Sequence, residues 1–297
     1  LGLLEGDDVK LVDRLSHIRA YEPEKLVEAV ARRQRAAQLS PGEKLLVLAC
    51  DHPARGAFSA GAQAMAMANR EEILQRCVRI LDNPRVRGFL GTADLIDDLT
   101  ALGALEGKFV WGSMNRGGLA GASFEMDDRF TGYDADGVAA ARLDGGKMLV
   151  RIDKSDPGTV RTLEATGAAV NALATHGLQS MIEPFMSARD AKGNVVNDLT
   201  PEAVIQSIGI AQGLGASTAR TWLKLPNVPD MGRVMESTSL PSLILGGAVS
   251  QDQAKTFKSW ENTLQLPNVL GLVIGRSLLF PPDDDVSKAA RELAKIV

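Results

Sequence analysis

The chain has 297 residues, 45% of them hydrophobic and 24% charged, with a formal net charge of −4. That length fits one large barrel or two ordinary domains, and the composition supports a sizeable core in a chain that stays soluble. The acidic balance argues against a general nucleic-acid binder, which would carry a basic face. It leaves room for a phosphorylated metabolite, since a few local cations and backbone amides suffice to hold one.

No apolar run is long enough for a membrane span. The opening LGLLEGDDVK lacks the basic-then-apolar pattern of a secretory signal, and it lacks a first Met, so a missing true N-terminus is an expectation here. Two cysteines, Cys50 and Cys77, show no metal spacing, which points to packing thiols in a reduced, cytoplasmic setting.

In chain order, residues 1–40 read as a helical extension ahead of a barrel domain over 41–297, either capping the barrel bottom or serving as an oligomer contact. Strands are expected at Leu45–Cys50, Gly88–Leu90, Phe109–Gly112, Lys147–Ile152, Ser180–Pro184, Thr221–Leu225, Leu243–Leu245 and Leu272–Ile274, where short apolar runs end in polar or glycine-rich turns.

Amphipathic stretches separate them. Asn69–Leu81 carries Ile73, Cys77, Ile80 and Leu81 at helical spacing. Asp136–Leu143 and Pro157–His176 follow. Thr200-Pro201-Glu202 reads as an N-cap with Pro at the first helical position, opening a helix to Gly213. Ser250 with Gln253 has capping-box spacing ahead of Leu264, and Ser287–Val297 closes the chain. This alternation predicts a (β/α)8 TIM barrel rather than an open doubly wound sheet, the more so because no GxGxxG follows the first strand. The irregular stretch Asn115–Tyr133 is long enough to expect a lid or substrate loop.

Chemistry in such a barrel sits at the C-terminal ends of the strands. Lys224, in TWLKLPN, stands between apolar neighbours on the sixth expected strand. If it points inward, burial and nearby cations favour the neutral amine, which attacks a carbonyl to form an iminium; if outward, it snorkels between helices. Glu183 in MIEPF ends the fifth strand, as a proton shuttle, a salt-bridge partner for Lys147 or Arg151, or both. Asp51 in ACDHPARG reads as a substrate ligand or as a turn cap. Lys147 and Arg151 share one face of the fourth strand; facing inward they form a cationic layer that lowers the Lys224 pKa, and Lys154 beyond them is a possible phosphate contact.

Gly246-Gly247 and Gly275-Arg276 follow strands seven and eight, where amides left accessible by glycine bind phosphate in this fold and an arginine adds a charged contact. Three scattered histidines, His17, His52 and His176, make a histidine-rich metal site improbable, so neither metal nor cofactor is expected.

ACDHPARG, TGYDADG, MIEPF, TWLKLPN, LILGGAVS and VIGRSLLF occur in an order that resembles the class I aldolases of the DeoC/LacD group, which includes the archaeal-type fructose-bisphosphate aldolases. The resemblance spans about Leu45 to Phe280 and is nearest to the tagatose-bisphosphate and sulfofructose-phosphate branch. It implies Lys224 as the Schiff-base lysine, Glu183 beside it, Asp51 as the strand-one acid, Lys147 as the strand-four lysine, and Gly247 with Arg276 in the phosphate site. Pro53 after Asp51-His52 and the 115–133 loop depart from the group.

The implied substrate is a phosphorylated sugar or keto sugar acid, cleaved with release of dihydroxyacetone phosphate, as in inositol catabolism. Tyr133 from the loop joins Glu183 and Asp51 as a proton-moving candidate, and a homo-oligomer is expected. Two alternatives stay open. One is a phosphosugar isomerase or epimerase using Glu183 and Asp51 without a covalent step; the other is a non-catalytic phosphosugar-binding barrel.

Overall fold

The computed structural model describes residues 9–247 and 253–297. Nine strands run through the described residues: β1 (Leu45–Cys50), β2 (Val86–Gly91), β3 (Phe109–Ser113), β4 (Gly145–Ile152), β5 (Gln179–Arg189), β6 (Val195–Asn197), β7 (Thr221–Pro226), β8 (Ser242–Leu245) and β9 (Val269–Ile274). All but β6 pair in parallel in the order β4-β3-β2-β1-β9-β8-β7-β5, and a β4–β5 ladder closes the ring. The result is the closed eight-stranded (β/α)8 barrel that the alternation predicts. Its strands read as near-continuous apolar runs because both faces are covered; β1, LLVLAC, is buried throughout.

Helices Arg70–Leu81, Gly158–Thr175, Pro201–Ala211 and Val286–Leu293 fall where the periodicity places them. Thr200 accepts a hydrogen bond from Ala203 N at 3.3 Å and so caps Pro201–Ala211, while Asn69 caps Arg70–Leu81 through Glu72 N at 3.2 Å. The helix Gln253–Leu264 is present, but Ser250 of its expected capping box lies outside the described residues.

The helices Ala93–Ala101 and Met231–Glu236, like the short Arg276–Leu279, have no counterpart in the sequence expectations. None starts with a side-chain cap; Met231–Glu236 begins at Asp230 in the left-handed region, φ 57°. The strand β5 also runs past Pro184 and folds back antiparallel onto β6, because Asp190 accepts from the backbone N–H groups of Lys192 and Asn194 and closes a polar turn.

Two apolar clusters hold the barrel. The larger lies between strands and helices, and the smaller fills the barrel interior with Leu45, Val47, Leu90, Phe109, Trp111, Met181, Leu243 and Val273. Residues ahead of β1 close the bottom. Ala36 and Leu39 pack onto the interior cluster, Arg33 donates to the carbonyls of Lys108 and Arg142, and Arg35 pairs with Asp144 at 2.9 Å. The helices Leu11–Tyr21 and Glu24–Arg32 lie instead beside Arg70–Leu81 and Ala93–Ala101 at the barrel wall.

Candidate active site

A pocket of about 660 Å³ opens at the C-terminal end of the barrel. Strand pleating aims alternate residues into it, so Lys147 and Arg151 of β4, Glu183 of β5 and Lys224 of β7 all point inward. Lys224 is 5% exposed and Lys147 2%.

Glu183 lies between these two lysines. Its Oε1 is 3.1 Å from Lys224 Nζ and its Oε2 2.5 Å from Lys147 Nζ. Lys147 Nζ also lies 3.2 Å from Asp51 Oδ2. The same Asp51 oxygen accepts from Ser113 Oγ at 2.7 Å and pairs with the Arg116 guanidinium, which in turn donates to Ser113 Oγ at 3.1 Å. Among the described residues Asp51 Oδ1 accepts no hydrogen bond; His52 Nδ1 stands 3.8 Å away.

These charges are buried, and burial decides their protonation. Desolvation lowers the pKa of Lys147 well below the usual lysine range, helped by Arg116 and Lys224 and opposed by Glu183. Lys224 is lowered in the same way: burial leads, Glu183 opposes, and Arg116 and Arg276 add to the depression. For Glu183 burial works against the carboxylate, but the two lysines outweigh it and hold the carboxyl below its ordinary range. Desolvation brings Arg116 down to about 10 and His52, beside Arg276 and the two lysines, down to about 3. His52 is therefore a neutral imidazole near pH 7.

The glycine-rich ends of β8 and β9 line the same pocket through Gly246, Gly247, Gly275 and Arg276. Gly247 adopts φ +65°, a backbone that favours glycine. A Cβ on Gly275 would fall 2.8 Å from the His52 ring, so His52 can sit against this turn only because position 275 is glycine. Arg276 is lowered by burial, and its Nη1 reaches Ser59 O at 3.3 Å.

Lys224, Glu183, Asp51, Lys147, Gly246, Gly247, Gly275 and Arg276 thus share one pocket. Tyr133 does not join them. Its ring lies against Gly112 and Gly137 on the helix-facing side of β3, and burial with Asp97 and Asp94 nearby raises its pKa. The expectation that Tyr133 reaches the reacting atoms is corrected by this placement: after an irregular loop, strand alternation no longer sets the side-chain direction. Lys154 is exposed and lies outside the pocket lining. Arg151 faces inward as the first alternative held, but it pairs with Glu125 of the long loop rather than with Glu183.

Sequence reasoning missed Arg116 and Arg55. Arg116 lies in irregular backbone and Arg55 ends the single 3-10 turn Pro53–Arg55, too short for a period to fix direction; the available signal was only their closeness to the ends of β3 and β1. The 115–133 loop is itself anchored. Asn115 brackets Leu149, accepting from its N–H at 2.8 Å and donating to its carbonyl at 2.5 Å, and Asp128 pairs with Arg55. Among the described residues no helix is long and apolar enough to cross a membrane.

Comparison with curated protein sequences gives no match. Solved structures do match. The crystal structure of Cgl0159 from Corynebacterium glutamicum is 52% identical, covering 97% of this chain and 96% of that one, with a TM-score of 0.93. A Schiff-base-forming fructose-1,6-bisphosphate aldolase matches at 18% identity over 92% of this chain and 99% of that one, TM-score 0.63. A fructose-bisphosphate aldolase from Slackia heliotrinireducens matches at 15% identity over 98% and 90%, TM-score 0.64. At these lower identities the likeness is one of fold, shared with class I aldolases. The sequence model of the Cgl0159-like family matches residues 43–294, and the chain belongs to that family.

Proposed function

We propose that the chain is a class I aldolase that makes or breaks a carbon–carbon bond in a phosphorylated ketose or keto sugar acid, with Lys224 as the Schiff-base nucleophile. The observation that carries this reading is the buried Lys224–Glu183–Lys147 row at the mouth of the barrel, in one pocket with the glycine turns at Gly247 and Gly275. A lysine is rarely buried without a purpose that repays its desolvation. The fold shared with a Schiff-base-forming aldolase agrees with the assignment.

In the cleavage direction the neutral Lys224 amine adds to the substrate carbonyl. The carbinolamine loses its hydroxyl as water and leaves an iminium. Asp51, through its open Oδ1, takes the proton of the hydroxyl on the carbon beyond the scissile bond. That bond breaks, the aldehyde departs, and the electron pair passes into the iminium as an enamine. Protonation of the enamine carbon and addition of water release the second product and return the amine.

Glu183 orients both lysine nitrogens, and Lys147, lowered by its burial, moves protons during carbinolamine dehydration. The amides at Gly247 and Gly275, with Arg276, hold the phosphate, while Gly246 N–H donates to Val273 O at 3.2 Å and lends the turn its lack of a side chain.

Borohydride reduction in the presence of dihydroxyacetone phosphate, fructose 1,6-bisphosphate or tagatose 1,6-bisphosphate tests this. A reduced adduct on the peptide containing Lys224, absent from Lys224→Met, is the expected result. An adduct on another lysine, Lys147 included, or none with any of the three, overturns the reading.

A further inference from the structure

Asp51 is held by one oxygen only. Its Oδ2 meets Ser113 Oγ at 2.7 Å, Lys147 Nζ at 3.2 Å and the Arg116 guanidinium. Its Oδ1 accepts from no group among the described residues, and His52 Nδ1 stands 3.8 Å off. An aspartate carboxylate turns readily about its last bond and offers either oxygen. Three donors on one oxygen stop that rotation and aim the other oxygen in a set direction.

Of the three donors, Arg116 carries the orientation. Lys147 Nζ is shared with Glu183 Oε2, which lies nearer at 2.5 Å, and an ammonium is a rotating point charge. The Ser113 hydroxyl is neutral and itself accepts from Arg116 Nη2 at 3.1 Å. Guanidinium, hydroxyl and carboxylate therefore close a triangle, and the planar fork is its rigid side.

The backbone around Arg116 is tied down on both sides. Asn115 brackets Leu149, and Gly117 N–H donates to Arg129 O at 3.1 Å. A Cβ at position 117 would fall 2.8 Å from that carbonyl oxygen, so the returning end of the loop comes this close only past a glycine. Arg116 is 9% exposed. Burial brings its pKa down to about 10, opposed by Glu183 and Asp128, and leaves it a cation near pH 7.

We infer that Arg116 is a positioning residue, delivered by the 115–133 loop, which fixes Asp51 through Oδ2 so that Oδ1 faces the substrate hydroxyl when the carbon–carbon bond breaks or forms. Resting on the aldolase reading, this assigns Arg116 to that step and not to Schiff-base formation on β7. In cleavage the hydroxyl proton passes to Oδ1, the oxygen's electron pair makes the aldehyde carbonyl, and the scissile pair enters the iminium. Condensation returns the proton from Oδ1 to the alkoxide. Arg116 gains and loses no proton in either direction.

The test compares two partial reactions in Arg116→Gln, which loses the charge and the fork, and Arg116→Lys, which loses only the fork. Asp51 keeps Ser113 and Lys147 in both, so neither variant strands a buried carboxylate, and the melting temperature reports that the fold is kept. Arg116 also disfavours the Lys224 ammonium, so borohydride trapping of dihydroxyacetone phosphate is measured at a pH high enough for its rate to be level. There, trapping should stay within about three-fold of wild type in both variants, while kcat for cleavage of fructose or tagatose 1,6-bisphosphate falls roughly 10^2-fold in Arg116→Gln with little change in KM. Arg116→Lys should recover only a small part of that loss.

Full recovery in Arg116→Lys would mean that charge alone suffices, and equal losses of trapping and cleavage would mean a general structural role; either overturns the inference. The crystal structure of Arg116→Gln needs no turnover. It should show the Asp51 carboxylate rotated, and one that keeps its wild-type direction overturns the inference as well. Intact trapping with wild-type cleavage in folded Arg116→Gln sinks the role of Arg116 alone. Absence of any Lys224 adduct in the wild-type protein sinks the aldolase reading itself.

Discussion

The inward faces of the barrel strands divide into two regions of opposite chemistry, and the boundary is one pleat wide. On β1 the step is from Ala49 to Asp51, on β3 from Trp111 to Ser113, on β5 from Met181 to Glu183, and on β7 from Trp222 to Lys224. Below the step, Trp111 stacks on Phe109 at 6.0 Å and tilts against Trp222 at 6.3 Å, so that aromatic volume fills the barrel. Above it, every residue named is an ion or a hydroxyl engaged in one network. The lower region stabilises by excluding water. The upper one spends desolvation free energy on holding charges that water would otherwise solvate. Such an arrangement is expected where perturbed protonation serves chemistry.

Replacing the nucleophile should separate the two regions most sharply. Lys224→Met removes a charge from the network and leaves the apolar layer untouched, so turnover should fall on the order of 10^4-fold or more with the fold retained. Glu183→Gln comes next. An amide cannot hold two ammonium groups, and a loss of roughly 10^2 to 10^4-fold is expected in kcat/KM. Steady-state assays on folded protein check both, and a variant with near-normal turnover would remove its residue from the chemistry.

The lower layer should answer to a different readout. Trp111 is fully buried and its Nε1 donates to Gln179 Oε1 at 3.1 Å. Trp111→Ala should cost about 3–5 kcal/mol of stability in chemical denaturation. The Lys224 adduct should still form in the folded fraction; its loss there would mean that the aromatic layer also sets the geometry of the charged one.

This division also explains what could be read in advance. Strands such as β1 and β7 are legible because both their faces are covered, and a barrel strand's end is where polar residues signal chemistry; Asp51, Glu183 and Lys224 all stand there. The loop from Asn115 to Tyr133 obeys no such rule. Arg116 turns back over β3 towards Asp51, whereas Tyr133 turns outward against Gly112, and nothing periodic in NRGGLAGASFEMDDRFTGY distinguishes the two. The β5–β6 hairpin stayed hidden for a related reason: its turn is made by Asp190 bonding to local backbone, not by an apolar pattern.

The smallest expected effect is the most specific to the charged layer. Adduct formation needs the neutral Lys224 amine, so its rate should rise with pH along a limb lying below the ordinary lysine value, because burial, then Arg116 and Arg276, disfavour the ammonium. Removing a cation that disfavours the ammonium restores part of its stability. Arg276→Gln should therefore raise the Lys224 pKa and move the limb to higher pH. Glu183 acts with the opposite sign, since its carboxylate stabilises the ammonium, and Glu183→Gln should move the limb to lower pH.

Unphosphorylated dihydroxyacetone is the probe of choice, because the loss of a phosphate contact at Arg276 then does not enter the rate. Opposite displacements of the limb in single-turnover borohydride trapping would tie the amine to both neighbours. A limb that moves with neither substitution would mean that some group other than Lys224 governs it.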